Sequence, residues 1–119
     1  MSANPCIMIV DDEFLSAMAL GDFLQENGFE IVGPFTTAQD ALQADKIART
    51  DAAFLDINLG EGETSEEIAQ ELSRRRIPYV FLTGYSEVPP ELRAFEQATF
   101  ISKPVTFERA LQEAREMTE

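Results

Sequence analysis

The 119-residue sequence contains no histidine. That absence excludes Ser-His-Asp and Cys-His nucleophilic systems and histidine-ligated metal centres, and leaves chemistry to carboxylates, hydroxyls, lysine and a borrowed ion. A single cysteine, Cys6, cannot form an internal disulfide, and beside Ile7-Met8-Ile9-Val10 it reads as a small core residue rather than a reactive thiol. No apolar run approaches the roughly 18 residues of a membrane span, and the N-terminus lacks the basic-then-apolar order of a secretory signal. The expectation is a cytoplasmic chain without membrane insertion. Cations are also scarce: 9 Lys and Arg stand against 22 Asp and Glu, a net charge of −13. Nucleic-acid affinity is built mainly from clustered Lys and Arg, so this balance argues against a nucleic-acid partner and suits a protein partner or a cation.

What is present supports one folded domain over residues 1–119. Hydrophobic residues make up 45% of the chain, and the length is ample for one core but short for two. Strand-like runs at 5–10, 29–33, 52–55, 79–82 and 99–102 alternate with helical patterns, and no output domain is expected after the last helix. The first helix begins near Glu13 and stops at Asn27-Gly28, a common exit signal. Phe14, Ala17, Met18, Leu20, Gly21 and Leu24 form a wide stripe suited to a sheet, while Leu15, Ala19 and Phe23 at i, i+4, i+8 form a second stripe. That second stripe is either covered by a neighbouring helix or left as a docking surface. Thr37, with Asp40 three residues on, is expected to cap a peripheral helix reaching Arg49. Thr64-Ser65-Glu66-Glu67 reads as a capping box for a helix with Ile68, Ala69 and Leu72 inward and Arg74-Arg75-Arg76 at its dipole-negative end. A short helix is expected over 90–97, anchored by Leu92 and Phe95. The last helix carries Phe107, Ala110, Leu111 and Ala114 as its apolar stripe. Alternating strands and helices predict an α/β doubly wound parallel sheet, and right-handed crossovers with the switch-point rule favour the flavodoxin-like strand order 2-1-3-4-5.

Strand ends carry the chemistry. Residues 7–10 run into Asp11-Asp12-Glu13, the apolar run 52–55 delivers Asp56, 79–82 ends at Thr83-Gly84, and 100–102 ends at Lys103-Pro104. Ligands of open α/β sheets bind beyond the carboxyl ends of the strands, so parallel pairing would bring an acid pair, an aspartate, a hydroxyl and an ammonium to one edge. Taken singly, the acid pair could be a helix N-cap, Thr83 a turn residue and Lys103 a surface lysine. Together they make Asp56 the candidate nucleophile. Two like charges 4 Å apart repel by about 4 kcal/mol at an effective dielectric of 20, so converging Asp11, Asp12 and Asp56 need a cation. Oxygen-only ligands suit Mg²⁺.

Asp11-Asp12, Asp56, Thr83 and Lys103-Pro104, in that order at successive strand ends, resemble the receiver domain of two-component response regulators over nearly the whole chain. Phe81-Leu82-Thr83-Gly84-Tyr85 further resembles a Phe-x-Thr-Gly-Tyr receiver subgroup common among single-domain regulators. The resemblance implies a phosphorelay module that takes a phosphoryl group on Asp56 from a sensor histidine kinase or histidine phosphotransfer protein and signals by binding a downstream protein. Such a module acts on itself and is not otherwise an enzyme. It implies Mg²⁺ held by the carboxylates of Asp12 and Asp56 and the backbone carbonyl of Asn58, with Asp11 acting through water and the Asn58 side chain tuning hydrolysis. Thr83 and Lys103 would contact the phosphoryl oxygens. Receivers present their first helix to the donor's helices, which would give Leu15, Ala19 and Phe23 a role. Many carry Tyr or Phe three residues before the site lysine as a switch; Phe100 stands there, either as a switch or as a packed residue. Gly84 permits backbone change beside Thr83, and Tyr85 could move over the site mouth, so 83–97 is the segment expected to order on phosphorylation. Two other readings stand beside this one. A dehalogenase-type Mg²⁺-dependent phosphatase also uses a strand-end Asp, but usually with an acid two residues on, where this chain has Asn58. A receiver-like scaffold would bind without phosphorylation.

Overall fold

In a computed structural model, residues 4–60, 63–84, 95 and 98–119 are described. Five strands, β1 (Cys6–Val10), β2 (Glu30–Phe35), β3 (Ala52–Asp56), β4 (Tyr79–Thr83) and β5 (Thr99–Ser102), form one parallel sheet in the order β2-β1-β3-β4-β5. The helices are α1 (Phe14–Glu26), α2 (Ala38–Ala41), α3 (Ala44–Arg49), α4 (Glu66–Arg74) and α5 (Phe107–Thr118). Fold class and strand order are those expected.

Strand periodicity divides the core. Met8, Val10, Val32, Leu55 and Phe81 pack on one face with Ile47 of α3 and Ile68 and Leu72 of α4. Their neighbours Ile7, Ile9, Phe54, Val80, Leu82 and Ile101 pack on the other with Ala17, Leu20 and Leu24 of α1 and Ala110 and Ala114 of α5. β3, at the centre, is buried at every residue, which is why it reads as an unbroken apolar run rather than an alternating one.

Several local expectations need correction. β2 does not stop at Gly33-Pro34 but runs on to Phe35. It is an edge strand, where proline's missing donor costs little, and its register shifts between Met8↔Val32 and Val10↔Phe35. Gly33, at φ +106, is required there: a Cβ would lie 2.8 Å from the Phe35 nitrogen. The helix expected from Thr37 to Arg49 is two, although Thr37 does accept the Asp40 N–H. On one continuous helix Ala38 and Ile47, nine residues apart, would point in opposite directions, whereas both are buried here. Phe14 and Met18, assigned to the sheet-facing stripe of α1, are 46% and 41% exposed; only Ala17, Leu20, Gly21 and Leu24 are buried. The capping box before α4 does not form, because Ser65 makes no side-chain cap and Thr64 Oγ1 instead accepts the Glu66 N–H. Cys6 is half-buried at the start of β1, not deep in the core. Arg74 and Arg75 pair with Glu71, and those two hydrogen bonds, Arg74 first, lower its carboxyl to about 2. The expected helix over 90–97 lies outside the described residues except for Phe95, whose ring meets Tyr79 and Phe81 edge-on.

Candidate functional site

Asp11, Asp56, Thr83 and Lys103 meet at the carboxyl edge of the sheet because β1, β3, β4 and β5 are parallel and end together: Val10 pairs with Leu55, Asp56 with Leu82 and Thr83 with Ser102. Backbone hydrogen bonds hold the loops beyond the strands. Asp11 donates its N–H to the Phe35 carbonyl at 2.9 Å, Ile57 to Leu82 at 3.0 Å, and Lys103 to Thr83 at 2.8 Å. The extension of β2 through Gly33-Pro34 therefore reaches the site, since Phe35 supplies the acceptor that orients Asp11.

Asp11 and Asp56 are each 5% exposed and Thr83 6%, while Asp12 is exposed at the rim. The Lys103 ammonium lies 2.9 Å from Asp56 Oδ2, 3.4 Å from Asp11 Oδ2 and 3.3 Å from Glu13 Oε1. Asp11 Oδ1 also accepts the Glu13 N–H at 2.9 Å. The Asp56 carboxyl is pushed up to about 7, by burial first and by the neighbouring Asp11 in addition, with Lys103 pulling the other way. For Lys103, burial favours the neutral amine, but the hydrogen bond to Asp56 and the charges of Asp56 and Asp11 outweigh it, and the net shift is upward.

Asp11, Asp12 and Asp56 each offer a carboxylate oxygen, all within 4.8 Å of one another. Two of the three carboxylates are buried, and a hard divalent cation suits such an oxygen set. Asn58 lies in the loop after β3, its side-chain oxygen accepting the Gly60 N–H at 3.1 Å and its backbone bridging to Thr64. Gly60, at φ +84, brings this loop beside the acids: a Cβ there would lie 3.9 Å from Asp12 Oδ2.

The remaining candidates are distributed unevenly. Gly84 follows β4, and among the described residues nothing lies within 4 Å of the position of a Cβ. Tyr85, and with it most of the 83–97 segment, lies outside the described residues. Phe100 is half-buried and stacks on Phe81, with ring centroids 5.0 Å apart. Of the second α1 stripe, Leu15 is 82% exposed and Ala19 is exposed, whereas Phe23 is half-buried and stacks on Phe107 of α5 at 4.8 Å. A neighbouring helix thus covers Phe23 and leaves Leu15 and Ala19 exposed. Glu13 had no assigned role from sequence, where it reads as the start of a helix; the long-range contact with Lys103 is what brings its side chain to the site.

A family model described as the response regulator receiver domain matches residues 7–115. The transcriptional regulatory protein YpdB of Escherichia coli K12 is 36% identical over 101 residues, covering 82% of this chain and 41% of YpdB. The chain spans less than half the length of the curated relatives it matches. The solution structure of SdrG from Sphingomonas melonis Fr1 is 37% identical, with each chain covered in full and a TM-score of 0.78. A CheY-like receiver from Methanospirillum hungatei JF-1, 23% identical, shares the fold at a TM-score of 0.80, covering 96% of this chain and 93% of that one. With the acids, hydroxyl and ammonium gathered at the switch-point edge of a 2-1-3-4-5 sheet, and the family match running from β1 into α5, this chain belongs to the response regulator receiver domain family.

Proposed function

We propose that Asp56 is the residue on which this receiver accepts its phosphoryl group, from a sensor histidine kinase or a histidine phosphotransfer protein. The observation that carries this reading is the 2.9 Å contact between Lys103 Nζ and Asp56 Oδ2, in a site where two further aspartates offer oxygens within 4.8 Å. An Asp56 oxygen attacks the phosphorus of a phosphohistidine in line. The new P–O bond forms as the P–N bond breaks, and the imidazole nitrogen departs with the electron pair. Lys103 compensates charge on a phosphoryl oxygen, and the Thr83 hydroxyl donates to another. Asp12, Asp56 and the Asn58 carbonyl, with Asp11 through water, would hold Mg²⁺, which when bound supplies further neutralisation of the phosphoryl charge. Positioning and charge compensation account for most of the rate in such transfers. Water later hydrolyses the acyl phosphate, so the chain acts on itself and not on a separate substrate. Membership of the receiver family over most of the chain favours this reading over a dehalogenase-type phosphatase or a phosphorylation-independent scaffold.

The output is binding of a downstream protein, in the cytoplasm and without nucleic acid. Incubation with a small phosphodonor and Mg²⁺, followed by intact mass, tests the assignment. The unsubstituted protein is expected to gain one phosphoryl group and Asp56→Asn none, with Lys103→Ala severely impaired. Undiminished uptake by Asp56→Asn would move the acceptor elsewhere.

A further inference from the structure

We propose that Glu13 selects among phosphodonors by charge: its carboxylate, sharing the Lys103 ammonium at the site mouth, disfavours a donor in proportion to that donor's negative charge. The inference rests on Asp56 being the acceptor. Glu13 stands at the N-cap position of α1, yet its side chain caps nothing. It turns instead to Lys103, 3.3 Å away, while 65% of the side chain stays exposed. Its backbone N–H is fixed on Asp11 Oδ1, so the residue is tethered to the site at both ends. Glu13 and Lys103 line the same cleft of about 530 Å³, together with Asp11, Ser16 and Phe107, so the carboxylate and the ammonium share one opening.

Nothing nearby in sequence offsets that charge, because no Lys or Arg precedes Lys46 and β1, α1 and β2 are therefore free of cations. Lys103 is already divided among Asp56, Asp11 and Glu13. Of its three partners among the described residues, Glu13 alone is largely exposed, so an anion approaching the ammonium from solvent meets this carboxylate at the rim. Screening by salt at physiological strength acts over roughly 8 Å, so the effect belongs to this rim residue and fades with distance along α1.

The test compares two donors in Mg²⁺ buffer by the second-order rate of Asp56 phosphorylation. Acetyl phosphate is a dianion at neutral pH and releases acetate with the electron pair of the broken P–O bond. Phosphoramidate carries one negative charge fewer and releases ammonia with the pair of the broken P–N bond. Glu13→Gln is expected to raise the rate by about two- to threefold per unit of donor charge, so that the acetyl phosphate to phosphoramidate ratio rises by that factor and falls back in high salt. Glu13→Asp, which keeps the charge, should keep the original ratio, and so should Asp22→Asn, more than two turns further along α1. An unchanged ratio in Glu13→Gln, or an equal gain with Asp22→Asn, overturns the proposal while leaving Asp56 as acceptor. Absence of uptake in the unsubstituted protein overturns both.

Discussion

Asp56 and Ser65 are buried polar residues with opposite needs. The Asp56 carboxyl is raised from 3.8 to about 7, first by burial and then by Asp11. Between those values the unfolded chain has already released this proton and the folded chain still holds it, so the unfolded state binds fewer protons and stability falls as pH rises. Metal-free protein should therefore lose stability from about pH 4 to pH 7 through this group. Asp56→Asn should flatten that part of the curve, measured as melting temperature against pH in a chelator; identical slopes in both proteins would show that the carboxyl titrates normally. Ser65 is 0% exposed, and among the described residues its hydroxyl has no hydrogen-bond partner. An orphaned buried donor costs about 1–3 kcal/mol. Ser65→Ala is expected to leave the denaturant midpoint unchanged or raise it, where most buried substitutions lower it.

Among the elements, α1 is the one whose two sides differ most. Ala17, Leu20 and Leu24 bury against the sheet, while Phe14, Leu15 and Met18 remain exposed, as does Phe107 of α5 at 41%. We expect Leu15→Asp, at 82% exposure, to cost little stability and to slow transfer from the cognate phosphohistidine protein. Transfer from phosphoramidate should hardly change. Equal slowing with both donors would place the damage in the site and count against Leu15 as a docking residue. The sequence pattern of α1 showed two apolar stripes but could not say which residues the sheet covers: helical spacing defines directions around an axis, and the rotation of that axis on the sheet is set by packing. The same limit explains the break between α2 and α3, where tertiary burial of Ile47 overrides a continuous helical pattern.

For the molecule as a whole, a net charge of −13 and three aspartates with oxygens within 4.8 Å work against compactness. Mg²⁺ is expected to raise the melting temperature saturably and beyond NaCl of equal ionic strength, since binding to the native state alone contributes about 2.7 kcal/mol at a hundredfold excess over Kd. Asp12→Asn should raise stability without the ion and blunt the response. If both stay at the unsubstituted values, Asp12 takes no part in binding. The sequence by itself determined the fold class, the strand order and the residues at each strand end, because period and composition report which segments are buried on both faces and the crossover rule leaves few topologies. It also carried Asp11, Asp12, Asp56, Thr83 and Lys103 as a set, since their order along the chain is the order of the strands. Tertiary structure alone decided the rest. The reach of β2 to Phe35 and its hold on Asp11, the exposure of Phe14 and Met18, the covering of Phe23 by Phe107, and the approach of Glu13 to Lys103 all depend on contacts between segments distant in sequence. Local pattern describes each segment without its neighbours, and these features exist only once the neighbours are in place.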